Sequence, residues 1–161
     1  LLPWRNVIKN ISLPLELNGD KKSLDKSIEL LNLVELSSIA TKNVWEISGG
    51  TQQLVSILRS LSLNPDILLL DEPFSSIDEI SRDKLHNKLI EIHKKTKKTI
   101  VMITHSINEA VFLSDKVVIL TKNPAKIIEI LKINFFKRDE SIKKTKNFVA
   151  FVNQIRFLLK G

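Results

Sequence analysis

An apolar run ends in acid at Ile67-Leu68-Leu69-Leu70-Asp71-Glu72-Pro73. Two adjacent carboxylates after a strand sit where α/β folds bind ligands, at the C-terminal edge of a parallel sheet. Asp71 could hold Mg²⁺, usually through water, because that hard cation takes oxygen ligands. Glu72 could orient or deprotonate a water attacking a γ-phosphate. The plain alternative is a strand that simply ends in acidic loop residues. Ser48-Gly49-Gly50 opens a helix. Unpaired N–H groups and the helix dipole make an anion site there, and glycines let a phosphate approach the backbone. An ordinary serine cap with a glycine turn would explain the same residues. His105 follows a second apolar strand, where an imidazole could hydrogen-bond a phosphate or a catalytic carboxylate. A structural or solvated histidine is the commoner case. Asp78, closing Ser75-Ser76-Ile77-Asp78, could cap a helix or contact a second copy of the domain. His86 and His93, seven apart on one helix, read as surface residues.

The elements that must position these residues follow from periodicity and turn signals. Leu1 to Leu17 is apolar and weakly helical, and Asn18-Gly19-Asp20 is a turn. Leu24, Ile28, Leu31 and Val34 recur at helical spacing, which predicts an amphipathic helix over 23–36. Ser37 to Trp45 is polar and irregular. Ser48 suits an N-cap for a helix reaching about Leu63, with Gln52 and Gln53 in its first turn. Ile67 to Leu70 reads as a strand covered on both faces, and Thr99 to Thr104 as a second buried strand. Between them, Asp78 or Ser81 caps a helix reaching about Lys95. Further along come a short helix over 107–113, strands over 116–120 and 125–133 joined by an Asn123-Pro124 turn, and a helical tail over 141–159. In that tail Phe148, Val152, Ile155 and Leu159 share one face. Strands alternating with helices imply a mostly parallel α/β sheet.

The sequence has 161 residues, about one domain, with 43% hydrophobic and 27% charged residues. That balance argues against general disorder. No apolar run reaches the roughly 18 residues of a membrane span. The absence of cysteine excludes disulfides and cysteine metal sites within the sequence. The net charge of +7 concentrates in Lys94, Lys95, Lys97 and Lys98 and in the tail from Lys137 to Lys160. These runs lack interleaved aromatics and any recognition motif, so they read as a solvated lysine-rich surface, and no nucleic acid is expected.

Separately these signals are modest; their order is distinctive. Ile47-Ser48-Gly49-Gly50-Thr51-Gln52-Gln53 resembles the signature of ATP-binding-cassette (ABC) ATPases. Ile67 to Pro73 resembles their Walker B segment, and Ser75 to Asp78 their D-loop. Ile103-Thr104-His105 with Glu109-Ala110 and Ser114-Asp115-Lys116-Val117 resembles their His-switch region. Leu1-Leu2-Pro3-Trp4, Val7 and Asn10-Ile11 resemble the segment after the Q-loop in ATPases of nitrate, sulfonate and taurine importers, and Asn123-Pro124-Ala125-Lys126-Ile127 resembles their post-switch turn. Thr51 and Leu54 depart from the family's usual residues, while Ser48 and Gly50 keep to its pattern.

The resemblance implies a P-loop NTPase-like fold with a helical subdomain. Residues 1–63 would form that subdomain and the signature helix, 64–133 the C-terminal part of the RecA-like core, and 134–161 a basic tail. It implies ATP and Mg²⁺ as ligands, with Asp71 toward the metal and Glu72 and His105 catalytic. Ser48, Gly49, Gly50, Gln52 and Asp78 would face a partner subunit's nucleotide. Implied partners are a second ATPase subunit, membrane permease subunits and a separate solute-binding protein, at the cytoplasmic face of the membrane. None of the four glycines begins a G-x-x-x-x-G-K-[ST] pattern. The Walker A loop, its strand and the N-terminal β-subdomain are therefore expected before Leu1, and the chain alone is expected to be inactive. A non-transport ABC ATPase and a non-catalytic cassette remnant are the other readings.

Overall fold

A computed structural model describes residues 1–160. The chain divides into two compact units, Leu1–Ile103 and the residues from Thr104 onward. The division falls inside the segment that the sequence assigns to the ATPase core.

In the first unit, α1 (Val7–Leu17) begins at Asn6, whose side chain accepts from the Lys9 amide at 3.0 Å. The segment before it is tied down by Asn10, which is fully buried. The Asn10 Oδ1 accepts from the Leu2 amide at 2.7 Å, and its Nδ2 donates to the carbonyls of Leu2, Arg5 and Asn6. A buried amide needs such partners, since leaving one unpaired costs about 1–3 kcal/mol. Helix α2 (Ser23–Leu33) is three residues shorter than the periodicity suggests, because Glu35 adopts a left-handed φ of 62°. Leu31 and Val34 are buried, whereas Leu24 and Ile28 are exposed.

Helix α3 (Gly49–Leu61) buries Leu54, Val55, Ile57, Leu58 and Leu61. This is the stripe that a helix of 3.6-residue period turns toward a core. It packs on α1 and on α4 (Glu79–Thr96). Helix α4 is the crossover between β1 (Ile67–Asp71) and β2 (Thr99–Ile103), which pair in parallel from Ile67 opposite Thr99 to Asp71 opposite Ile103. Lys97 ends α4 in the left-handed region at φ 56°.

Two expectations change here, and one open alternative is decided. Strands β1 and β2 are not covered on both faces: Leu68 is 3% exposed, but Leu69 is 73% and Val101 49% exposed. Side chains alternate along a strand, and only one face of this pair is covered. His86 is not a surface residue; it is 3% exposed, on the face of α4 that buries Leu85, Leu89 and Ile92. The cap of α4 is Asp78, whose carboxylate accepts from the Ser81 amide at 2.9 Å.

The second unit opens with α5 (Ile107–Leu113) and continues as an antiparallel pair, β3 (Lys116–Leu120) and β4 (Ile127–Lys132). Strand β4 is shorter than 125–133 because residues 121–126 form the turn, in which the Lys126 amide donates to the Thr121 hydroxyl at 2.8 Å. A 3₁₀ turn (Glu140–Lys144) leads into α6 (Lys146–Leu158), whose Phe148, Val152 and Ile155 are buried as expected. Leu159 instead ends the helix and is half exposed. Arg138 fastens this unit, donating to the carbonyls of Leu113, Ser114 and Ile133 and pairing with Asp115 at 2.8 Å.

One-sided burial makes a direct prediction. Leu58→Ala lowers the stability of the chain by about 2–5 kcal/mol in urea denaturation. Leu69→Ala, on the exposed face, changes it by less than about 0.5 kcal/mol.

Candidate functional site

The signature turn is built before the helix that carries it. Asn6 bridges Asn43, and the amides of Val7 and Ile8 donate to the carbonyls of Lys42 and Ala40, each at 2.9 Å. Asn43 and Glu46 then form a reciprocal capping box around a 3₁₀ turn at Val44–Glu46. Gln52 fastens this turn from the helix side: its Nε2 donates to the carbonyls of Val44 at 3.0 Å and Ile47 at 3.2 Å. This residue, expected toward a nucleotide, ties the approach to Ser48 onto the first turn of α3.

Ser48 caps α3, accepting from the Thr51 amide at 3.3 Å and meeting the Thr51 hydroxyl at 2.9 Å. Ser48 and Gly49 are exposed, and Gly50 is buried against α4. Neither glycine has a left-handed φ. A Cβ at Gly49 would meet nothing within 4 Å, and one at Gly50 would meet Leu85 Cδ1 at 3.4 Å, an ordinary contact. Alanine would fit both places and favours a helix by about 0.5–1 kcal/mol over glycine. The fold itself therefore gives no steric reason for glycine at either position.

The acidic pair stands at the end of the parallel strands. Asp71 is exposed and Glu72 half buried. Glu72 has a left-handed φ of 43°, and its amide donates to the Ile103 carbonyl at 2.9 Å. Its carbonyl accepts from both the amide and the hydroxyl of Ser75, at 3.3 and 3.1 Å. Non-glycine residues in this region cost of order 1–3 kcal/mol and persist only where neighbours over-determine them. The loop onward to Asp78 is equally fixed. Phe74 is buried edge-on against the His86 ring with centroids 4.9 Å apart, and Arg82 donates to the Ile77 carbonyl at 2.6 Å. The hydrogen bond from Ser81 holds the Asp78 carboxyl below its ordinary 3.8. Asp78 is thus a helix cap that remains exposed beside the signature helix's packing partner.

His105 lies in the second unit, exposed, between Thr104 and the α5 cap Ser106. Glu109 is the residue that the site expectations omitted. It is 6% exposed and accepts from the Thr104 hydroxyl at 2.7 Å. The spacing Ser106-x-x-Glu109, a capping-box signature, was the available signal.

No group of three His, Cys, Asp or Glu side chains that could hold a metal occurs among the described residues. Mg²⁺ needs no such cage. It keeps waters and uses one or two carboxylates together with substrate phosphates, and the exposed Asp71 carboxylate at the strand end fits that role.

Residues 1–75 match the ABC transporter family. The chain is 39% identical over 158 residues to the taurine import ATP-binding protein of Escherichia coli (strain K12), covering 93% of this chain and 62% of that protein. The identity is 43% over 163 residues to an uncharacterised ABC transporter ATP-binding protein of Methanocaldococcus jannaschii, covering 99% of this chain and 60% of that one. Over nearly its whole length the chain is similar to ABC transporter ATP-binding proteins.

Solved ABC structures agree. A dimeric ATP-binding cassette in a post-hydrolysis state, bound to ADP and Pi, superposes with a TM-score of 0.65 at 29% identity, covering 84% of this chain and 60% of that one. An inward-facing ABC transporter of metal-chelate type gives a TM-score of 0.70 at 22% identity over 92% of this chain and 58% of that one, which supports the fold alone. The P-loop NTPase-like fold expected from the ABC resemblance is thereby established. The chain spans about 60% of the length of the curated ABC relatives it matches.

The glycine geometry can be tested apart from ATP chemistry. Gly49→Ala and Gly50→Ala leave the urea stability of the chain unchanged or raise it by up to about 1 kcal/mol. A loss larger than that would assign these glycines to the fold.

Proposed function

We propose that this chain supplies the signature, Walker B and switch parts of an ATP-hydrolysing importer subunit that takes up a small solute such as nitrate, a sulfonate or taurine. The observation that carries the reading is Glu72, a carboxylate held in a left-handed turn at the end of a parallel strand pair. Backbone strain of this kind clusters at active sites. The names of the taurine-import relatives support the solute class.

In this reading Glu72 accepts a proton from water as the water oxygen bonds the γ-phosphorus and the bond to the β–γ bridging oxygen breaks. ADP and inorganic phosphate leave. Asp71 would hold Mg²⁺ through water, and the metal would supply neutralisation of phosphate charge. His105 donates a hydrogen bond to the γ-phosphate. Ser48, Gly49 and Gly50 present the start of α3 to the nucleotide of a second subunit. Gln52 acts by positioning that start, and Asp78 contacts the second subunit.

Permease subunits would dock on the helical part of the first unit. There Trp4, Leu17, Leu24, Ile28 and Trp45 are large apolar side chains exposed to solvent. A separate solute-binding protein would deliver the solute. No described helix is long and apolar enough to cross a membrane, and the proposed location is peripheral, at the cytoplasmic face.

In the full-length subunit, Glu72→Gln is expected to reduce ATP turnover at least about 100-fold while ATP binding, measured by equilibrium dialysis, stays intact. Unchanged turnover would remove Glu72 from the chemistry.

A further inference from the structure

We propose that Glu109 is the positioning residue of His105. This rests on the ATPase reading for its catalytic consequence, though its structural content stands separately. Three hydrogen bonds form a closed circuit around the histidine. The Glu109 amide donates to the Ser106 hydroxyl at 3.3 Å. The Ser106 amide donates to the Thr104 hydroxyl at 3.0 Å. The Thr104 hydroxyl in turn donates to the Glu109 carboxylate at 2.7 Å.

In an ordinary capping box the acid three residues after the cap reaches back to the cap's own amide. Here a threonine hydroxyl is inserted as a relay. It accepts from the Ser106 amide and donates its own hydrogen to Glu109. Both residues flanking His105 are therefore fastened to the first turn of α5, and the exposed imidazole is carried on a turn with little freedom.

The burial of Glu109 is the second argument. A carboxylate 6% exposed carries a desolvation cost that an apolar residue at the same place would not. Capping alone does not require it, because Ser106 already caps α5 with its own hydroxyl. What the carboxylate adds is a fixed acceptor for Thr104, and through it a fixed backbone at His105. A catalytic group displaced by about 1 Å loses on the order of 100-fold in rate, so orientation at this turn has a kinetic consequence out of proportion to its size.

Two readouts test this. In this chain, proton NMR of the His105 ring, assigned through His105→Gln, should shift in Glu109→Ala and in Thr104→Val, while the His93 ring stays put. Glu109→Gln, which keeps an acceptor oxygen, should restore the wild-type signal. In the full-length subunit, Glu109→Ala should lower kcat about 10- to 100-fold with KM for ATP unchanged, and should add nothing in a His105→Ala background. His105 resonances that stay unmoved in both Glu109→Ala and Thr104→Val overturn the proposal. So does full turnover by Glu109→Ala in a subunit that Glu72→Gln inactivates. If instead the resonances move and neither Glu72→Gln nor Glu109→Ala alters turnover, the ATPase reading fails and the positioning role stands.

Discussion

Parallel pairing of β1 with β2 is the constraint on which the site in the first unit depends. Parallel strands cannot be joined by a tight turn and need a crossover; α4 is that crossover, and its length is set by the distance it must return. Because the strands run the same way, their ends lie at one edge. The last rung of the ladder is the bond from the Glu72 amide to the Ile103 carbonyl. It holds Glu72 where the strand has already turned left-handed, so one backbone hydrogen bond both closes the sheet and aims the loop that carries the carboxylate.

Helix α4 then does more than connect. Its cap Asp78, its Arg82 and its buried His86 each hold one point of the loop beyond Glu72. The same helix supplies Leu85 and Ser81 as the floor under Gly50. The signature turn and the acidic loop are thus mounted on one rigid element, although the sequence separates them by more than a complete helix. Sites mounted on helices and strands hold geometry better than sites carried on loops alone, and here the loops are short and anchored at both ends.

Most of this was legible in the sequence because it is written locally. Ser48, Asp78 and the apolar run before Asp71 carry cap and strand signals within a few residues of where they act. Burial was less legible. The run Ile67 to Leu70 contains no polar residue to mark its exposed side, so alternation was invisible and both faces were expected to be covered. His86 gave the opposite error: a polar residue on a lysine-rich helix reads as surface, and only the packing of Phe74 reveals the buried face. Glu109 went unassigned because its partner Thr104 lies before the helix cap, outside the span that a capping signature covers. The antiparallel β3–β4 pair was signalled by the short turn read at Asn123-Pro124, because parallel strands cannot be joined by a tight turn.

The central claim is that Ser48 and Glu72, both in the first unit, serve different nucleotides in an assembled pair of subunits. Mixing tests it most directly: full-length subunits carrying Ser48→Arg are combined with subunits carrying Glu72→Gln, each inactive alone, and ATP turnover is measured. One complete site forms in a mixed pair if the signature acts across the interface, so turnover should reappear on mixing. Mixtures that stay as inactive as either parent, while still forming mixed pairs, would contradict the account.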